Sequence, residues 1–483
     1  MVLKEMSLKL LSKNLIFFFS LLVLISSCKI ASPPALPVAV PMPESYVGDK
    51  DTLMDGNIEW QTFFTDSILV KLIATALENN LDLLTSMQRV EMTRADYAIK
   101  TGSVFPSLAT IASANIGNVN QNMVGNADQS QRLNNLREEY FIGFQSSWEV
   151  DAWGKLRNQK KAAFSRYLAS QKGRHLVMTS LIAEVGRLYY ELLAVDNELE
   201  IIRKNIEFQQ TAVDIINIQK VGGRATELAV QQSTAQLLST KALEKQKLQR
   251  VVELETEINF LLGRYPQEIS RGKDISEQPL PEMLHEGVPS SLLLNRPDIQ
   301  QAELELEASK AELQAARAAF LPTISISPYA GFNSLTASSL FQSPESMAAG
   351  LLGSISAPLF NRNRIRSEFN YSIARRSEAF YAYQQTIIRG FGEVSNTIRK
   401  ISNLQMIFEL KQEEVNVLSN AVSTSNVLFT SGYATYLEVI TAQKSVLEAE
   451  LELANIKKQI FHSVIDLYKA LGGGWHSDPY SGQ

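Results

Sequence analysis

The sequence predicts a mainly α chain with a transmembrane β part, built twice over from one plan. Three observations predict it: two long proline-free stretches with apolar heptads, uncharged segments of period-two alternation between them, and an internal repeat that keeps its register. Pro106 is followed by no proline until Pro266, and Pro358 by none until Pro479, so both stretches are free to be helical. In the first, Leu181, Val185, Leu188, Leu192, Val195, Leu199, Ile202 and Ile206 advance by alternating fours and threes, the step of a coiled-coil seam. In the second, Ile387, Phe391, Val394, Ile398, Ile401, Gln405, Phe408, Gln412 and Val415 keep that step with two polar interruptions. One helix over 156–221 would be about 100 Å long, which predicts a rod or tube.

Residues 101–127 and 318–344 carry no charge and are rich in Gly, Ser, Thr, Asn and β-branched side chains, which predicts strands and loops. From Tyr140 onward, Tyr140, Ile142, Phe144, Trp148 and Val150 share one face, and Gly143, Gln145, Ser147, Glu149 and Asp151 the other. Ile324, Ile326, Ala330 and Phe332 oppose Thr323, Ser325 and Ser327. Leu351, Ile355, Ala357 and Leu359 oppose Ser354 and Ser356, with Leu352 breaking the pattern. Four amphipathic strands fit a lipid-facing barrel but cannot close one, so closure requires further copies of the chain. Alternation by itself equally fits a soluble sandwich with a dry core.

The repeat orders these pieces. Leu81-Asp82-Leu83 and Pro106 match Pro297-Asp298-Ile299 and Pro322 at an offset of 216 residues, and Gly223-Arg224-Ala225-Thr226-Glu227-Leu228 matches Gly432-Tyr433-Ala434-Thr435-Tyr436-Leu437 at 209. The predicted order is helix, strand, strand, helix, helix, twice. We divide the chain into a signal peptide (1–27), a tether (28–59), a first repeat (60–263), an irregular connector (264–292), a second repeat (293–473) and a tail (474–483).

Composition narrows the function classes. A net charge of −5 leaves no basic field for nucleic acid. One cysteine and four scattered histidines exclude intrachain disulfides and make a His/Cys metal cage improbable. The cysteine belongs to the amino terminus, where Lys4, Lys9 and Lys13 precede the apolar run Leu15 to Ile25, long enough for a signal core and too short to span a bilayer. The run ends in Ile25-Ser26-Ser27-Cys28, which resembles the lipobox of bacterial lipoproteins; that resemblance implies lipidation of Cys28 as the mature first residue, and Lys29 after it implies delivery to the outer membrane. Five prolines between Pro33 and Pro43 then predict an extended spacer.

Other motifs yield no chemistry. Gly472-Gly473-Gly474 ends a helix and is followed by no Lys-Ser/Thr, so it is a helix stop and no phosphate loop. His462 and Asp466, at i and i+4, read as a surface pair. Arg362, Arg364, Arg366, Arg375 and Arg376 read as a solvated basic face, with lipid phosphate as the other possibility. We expect no enzyme, no metal and no cofactor beyond the covalent lipid on Cys28.

The chain resembles the TolC-like outer-membrane efflux proteins, in particular the lipidated branch that serves resistance-nodulation-division pumps. The resemblance rests on Trp148-Glu149-Val150-Asp151 with Gly154-Lys155-Leu156-Arg157, Asn295-Arg296-Pro297-Asp298-Ile299 with Ala316-Arg317-Ala318-Ala319-Phe320 and Pro322, and Tyr468-Lys469-Ala470-Leu471-Gly472-Gly473-Gly474-Trp475. It implies a homotrimer whose protomers each give four strands to a twelve-stranded β-barrel in the outer-membrane lipid, continued by a long periplasmic α-helical barrel. It also implies a passive exit duct for small molecules, working with a periplasmic adaptor (membrane fusion) protein and an inner-membrane pump. The glycine turns imply the adaptor-docking tip: Gly222, Gly223, Ala225, Thr226 and Leu228, with Gly432, Ala434, Thr435 and Leu437. Family members often close the tip with an acidic ring shortly before the second turn. Here the nearby positions are Val422 and Asn426, so the aperture is expected to be polar or apolar. A type I protein-secretion duct and a non-conducting coiled-coil scaffold remain as alternatives.

Overall fold

The computed structural model describes residues 32–46, 59–118, 136–281, 289–358 and 360–475. The signal segment, Cys28 and Leu359 lie outside the described residues. The elements are α1 (Ser67–Asn79), α2 (Leu81–Gly102), β1 (Ser107–Asn118), β2 (Leu136–Val150), α3 (Lys155–Val221), α4 (Glu227–Leu261), α5 (Pro297–Ala318), β3 (Thr323–Ser334), β4 (Met347–Ser356), α6 (Arg364–Thr430) and α7 (Tyr436–Ala470). From α2 and α5 onward the two repeats match in order, whereas the position of α1 is taken in the second repeat by the four-residue helix Leu292–Asn295. α2 and α5 have 22 residues each, α3 and α6 have 67, and α4 and α7 have 35.

All four long helices end the same way. A glycine with positive φ follows each: Gly223 at 71°, Gly263 at 66°, Gly432 at 81° and Gly472 at 90°. At the first, Arg224 N–H bonds the Gln219 carbonyl at 2.8 Å and Gly223 N–H bonds that of Lys220 at 3.0 Å, a Schellman motif that recurs after the other three. The triple glycine is thus a helix stop, as its sequence predicts.

The chain divides into two compact units. One takes residues up to Val38 with Ala95–Ser165 and Leu306–Phe380. Its centre is a four-stranded antiparallel sheet in the order β1-β2-β3-β4. β2 begins at Leu136, before the expected Tyr140, and ends at Val150. Asp151 therefore leaves the strand face assigned to it from sequence. Its carboxylate instead accepts the Leu156 and Arg157 backbone N–H groups at 3.0 and 2.9 Å, the role of a helix-start acceptor for α3.

The other unit takes Ala39–Arg94, Arg166–Glu305 and Tyr381–Gln483, and it holds the main apolar core. The first heptad is buried from Leu181 through Ile202, after which burial passes from Ile206 to Asn205 and Gln209. In α6 the buried stripe is Val394, Ile398, Ile401 and Leu404; it drifts off the expected Gln405, and Gln412 is exposed. Aromatic rings pack in this core: Phe63 stacks on Tyr468 at 4.1 Å and Tyr190 on Phe461 at 4.5 Å. The proline-rich spacer forms neither helix nor strand, and side-chain contacts hold it at both ends. In the first unit Arg376 donates to the Pro34 carbonyl at 2.6 Å; in the second, Tyr46 is 5% exposed and stacks on Phe391 at 5.2 Å. Arg376 is thus buried, against the solvated face expected of it.

Candidate functional site

Strand register decides which side chains share a face, because directly paired residues point the same way. Phe144 pairs with Thr110 and Ala330, Ile142 with Ala112 and Phe332, and Ile324 with Ile355. One face of the sheet therefore gathers Leu108, Ile116, Ile142, Phe144, Trp148, Ile324, Ile326, Phe332, Met347, Leu351 and Ile355. Much of it is open: Leu108, Leu351 and Ile355 are 72%, 71% and 75% exposed. The opposite face carries Glu139, Gln145, Ser147, Ser325, Ser327, Asn333, Ser354 and Ser356, with Ser325 and Ser354 hydroxyls 2.7 Å apart and Asn333 donating to Glu139 at 3.2 Å.

The polar face holds one feature that the alternation did not reveal. Phe141 and Tyr329 meet edge to face at 6.0 Å, above Gly143 and Gly350, where a Cβ would collide with their rings. Glycine at these positions makes room for aromatic rings on an otherwise polar surface.

At the helix turns the structure places Gly222, Gly223, Ala225 and Thr226 between α3 and α4, with Leu228 in the first turn of α4, and Gly432, Ala434 and Thr435 between α6 and α7, with Leu437 in the first turn of α7. A Cβ on Gly223 or Gly432 would meet nothing within 4 Å, so positive φ alone requires glycine there. Thr226 caps α4 by accepting Ala229 N–H at 3.2 Å. Thr435 N–H donates to Glu438 at 2.5 Å, which holds that carboxyl below its usual range. Lys220 pairs with Glu227 at 2.6 Å and lowers the Glu227 carboxyl likewise. Leu228 and Leu437 are 61% and 56% exposed although apolar.

The two turns belong to one site. Tyr436 of α7 donates to Gln232 of α4 at 2.6 Å. Ile215 and Ile216 of α3, Phe429 of α6, and Tyr436, Val439 and Ile440 of α7 line an apolar cavity of about 80 Å³ that Asn426 also borders. Asn426 is exposed and Val422 half-buried on α6. The nearest acids before them, Glu413 and Glu414, are exposed, with Glu414 held by Lys411 at 2.7 Å.

The two strongest sequence motifs also meet. Arg296 bonds Asp298 through Nε and Nη2 at 3.0 and 2.7 Å, and through Nη1 reaches Glu393 at 2.8 Å and the Ala470 carbonyl at 3.1 Å. Burial disfavours its charge, but the two carboxylates prevail and raise its pKa. Trp475 Nε1 donates to the Asn295 carbonyl at 2.9 Å. His462 and Asp466 do not pair with each other: His462 Nε2 meets the Arg187 carbonyl at 3.0 Å, and Asp466 pairs with the Arg187 guanidinium at 3.1 Å. No cluster of metal-ligating side chains occurs among the described residues, nor any helix long and apolar enough to cross a membrane.

The profile of the family described as outer membrane efflux protein matches residues 72–264 and 288–473. The chain belongs to that family. The probable outer membrane lipoprotein SilC of Salmonella typhimurium is 29% identical over 477 residues, covering 97% of this chain and 99% of SilC. The toluene efflux pump outer membrane protein TtgI of Pseudomonas putida is 28% identical over 447 residues, covering 92% of this chain and 94% of TtgI. The crystal structure of a membrane protein from Pseudomonas aeruginosa superposes with a TM-score of 0.83 at 27% identity, over 93% of this chain and 98% of that one. The fold is TolC-like and the protein is an outer-membrane efflux channel.

Proposed function

We propose that the protein is the passive exit duct of a tripartite resistance-nodulation-division efflux system. It conducts small molecules outward as a homotrimer and performs no turnover of its own. The observation that carries this reading is the sheet, which is apolar on one face, polar on the other and open at both β1 and β4. An exposed apolar sheet with two bare edges is unstable in water, whereas three copies joined edge to edge give a closed twelve-stranded barrel with an apolar exterior.

The turn residues serve as the adaptor-docking tip, with Leu228 and Leu437 as its exposed apolar contacts. Val422 and Asn426 form the aperture, a neutral constriction. Cys28 carries the lipid that gives a second attachment to the membrane, and Cys28→Ala abolishes acylation, read as intact mass, while the barrel still assembles. Relatives named for toluene and for cation efflux share this scaffold, so cargo choice resides in the pump that loads the duct.

Single-channel conductance in a planar bilayer, together with native mass, tests the reading. A trimer with discrete conductance steps supports it. A monomer, or a trimer that stays silent even with Val422 and Asn426 replaced by glycine, leaves only a scaffold of the same fold.

A further inference from the structure

The internal duplication supplies a control for one surface patch. Where β2 passes into α3, the basic residues are neutralised: Lys155 pairs with Glu149 at 2.7 Å and Arg157 with Asp151 at 3.1 Å. The same junction in the second repeat, 209 residues later, places Arg364 at the position of Lys155 and Arg366 at that of Arg157. Its acids are gone, since Pro358 stands for Glu149 and Phe360 for Asp151. Arg362, in place of Trp153, adds a third cation.

All three arginines are exposed, and none makes a side-chain hydrogen bond or ion pair among the described residues. Glu368, one turn along α6 from Arg364, forms no ion pair with them. The backbone beneath them is unusual. Arg362 and its neighbour Asn363 have φ of 53° and 64°, two consecutive left-handed residues where the first repeat uses Gly154 at one of the two positions. A left-handed arginine is a costly way to make a turn, and such outliers mark function more often than chance.

The surroundings indicate the ligand. Phe360 is 87% exposed, Phe105 64%, Trp153 49% and Trp148 36%. Trp148 lies near the end of the β2 ladder, next to Ser147 across from Ser107, and Phe105, Trp153 and Phe360 stand within four residues of the ends of β1, β2 and β4 at the same helix-side end, where Thr323 lies across from Ser356. Exposed aromatic residues at one end of an apolar sheet face mark a membrane–water boundary.

We propose that Arg362, Arg364 and Arg366, flanked by Phe360, bind the phosphate of anionic phospholipids in the leaflet on the helix side of the barrel. Guanidinium groups suit phosphate oxygens as paired donors, and the aromatic ring suits the acyl boundary beside them. The inference rests on the barrel reading above, and it adds a lipid preference that a barrel by itself does not require.

The test is native mass spectrometry of the purified protein in detergent with added phosphatidylglycerol or phosphatidylcholine. The wild type is expected to retain phosphatidylglycerol roughly tenfold over phosphatidylcholine at low salt. The Arg362→Gln, Arg364→Gln, Arg366→Gln triple variant is expected to lose that preference, and the control Lys155→Gln, Arg157→Gln to keep it. Equal retention by wild type and triple variant overturns the proposal. Competition by inorganic phosphate at matched concentration overturns it in favour of a free anion, and loss of the oligomer in the triple variant overturns it in favour of pairing between subunits. A conducting trimer without lipid preference defeats only this site, whereas a wild-type protein that neither assembles nor conducts defeats the channel reading itself.

Discussion

Arg296 holds the carbonyl oxygen of Ala470 at 3.1 Å, joining the start of α5 to the last residue of α7 across 174 positions of sequence. The same side chain, 8% exposed, neutralises Asp298 and Glu393. Arg296→Ala strands two carboxylates and a carbonyl together. We expect a loss of about 3 kcal/mol, the low end of the range for breaking a buried ion pair, because Glu393 is 45% exposed. Arg296→Lys keeps the charge without the fork and should lie between. Denaturant unfolding in detergent measures both, and wild-type stability in Arg296→Ala would show the network to be idle.

Tyr189 is fully buried and its hydroxyl has two partners: it donates to Asp66 at 2.8 Å and accepts Gly272 N–H at 2.9 Å. Tyr189→Phe leaves the Gly272 donor unsatisfied and should cost about 1–3 kcal/mol at neutral pH. Burial first, and the Asp66 carboxylate second, push this hydroxyl above its ordinary 10.0; burial raises Tyr190 and Tyr468 too. Above pH 10 the unfolded chain therefore releases protons that the fold retains, so stability is complete below pH 10 and falls as pH rises beyond it. The fall between pH 9 and 11 should be shallower in Tyr189→Phe, and parallel curves would contradict the assignment.

Much of this architecture was legible in sequence because it is periodic or repeated. The heptad from Leu181 to Ile202 locates a buried seam, the alternation from Tyr140 to Val150 assigns sheet faces, and the match of Gly223 to Gly432 locates both turns. What was hidden lacks a period. Nothing near Arg376 signals that its guanidinium reaches Pro34, 342 residues away, and nothing around Arg296 announces Ala470. Asp151 looked like a strand residue because it continues the alternation by one step, yet a carboxylate beside the first free N–H groups of a helix is more strongly held there. Phe141 and Tyr329 broke the polar pattern, and only the pairing that puts glycines beneath them explains how the rings fit.

The tip separates backbone strain from docking. Gly432 has φ of 81° and open space around its Cα, so Gly432→Asn should be nearly neutral, whereas Gly432→Val should cost more than about 1 kcal/mol through strain alone. Leu437→Asp and Leu228→Asp, at exposed positions, should leave stability within about 0.5 kcal/mol. Under the docking proposal they still reduce efflux at least tenfold, as does Gly432→Asp, with the amount of trimer unchanged. Export assays in cells paired with quantified trimer decide it: normal efflux by both leucine variants removes the tip from the docking surface, and loss of trimer makes it structural.

His462 gives the fold an acid-side dependence. Burial and the Arg187 guanidinium bring its pKa from 6.5 down to about 4, while Nε2 donates to the Arg187 carbonyl at 3.0 Å, so the folded state holds a neutral ring. The unfolded chain binds a proton near pH 6.5 and the fold resists it until about pH 4. The stabilising contribution is therefore complete above pH 6.5 and is lost as pH falls through that window, up to about 3 kcal/mol per protomer. His462→Gln keeps a donor for the Arg187 carbonyl but has no proton to gain. Its unfolding free energy should fall less steeply than wild type between pH 7 and 4.5, with the two converging at the acid end. Carboxylates titrate in the same range, but they are common to both proteins, and the difference between the two curves reports the histidine. Superimposable curves would mean that the ring accepts its proton inside the fold.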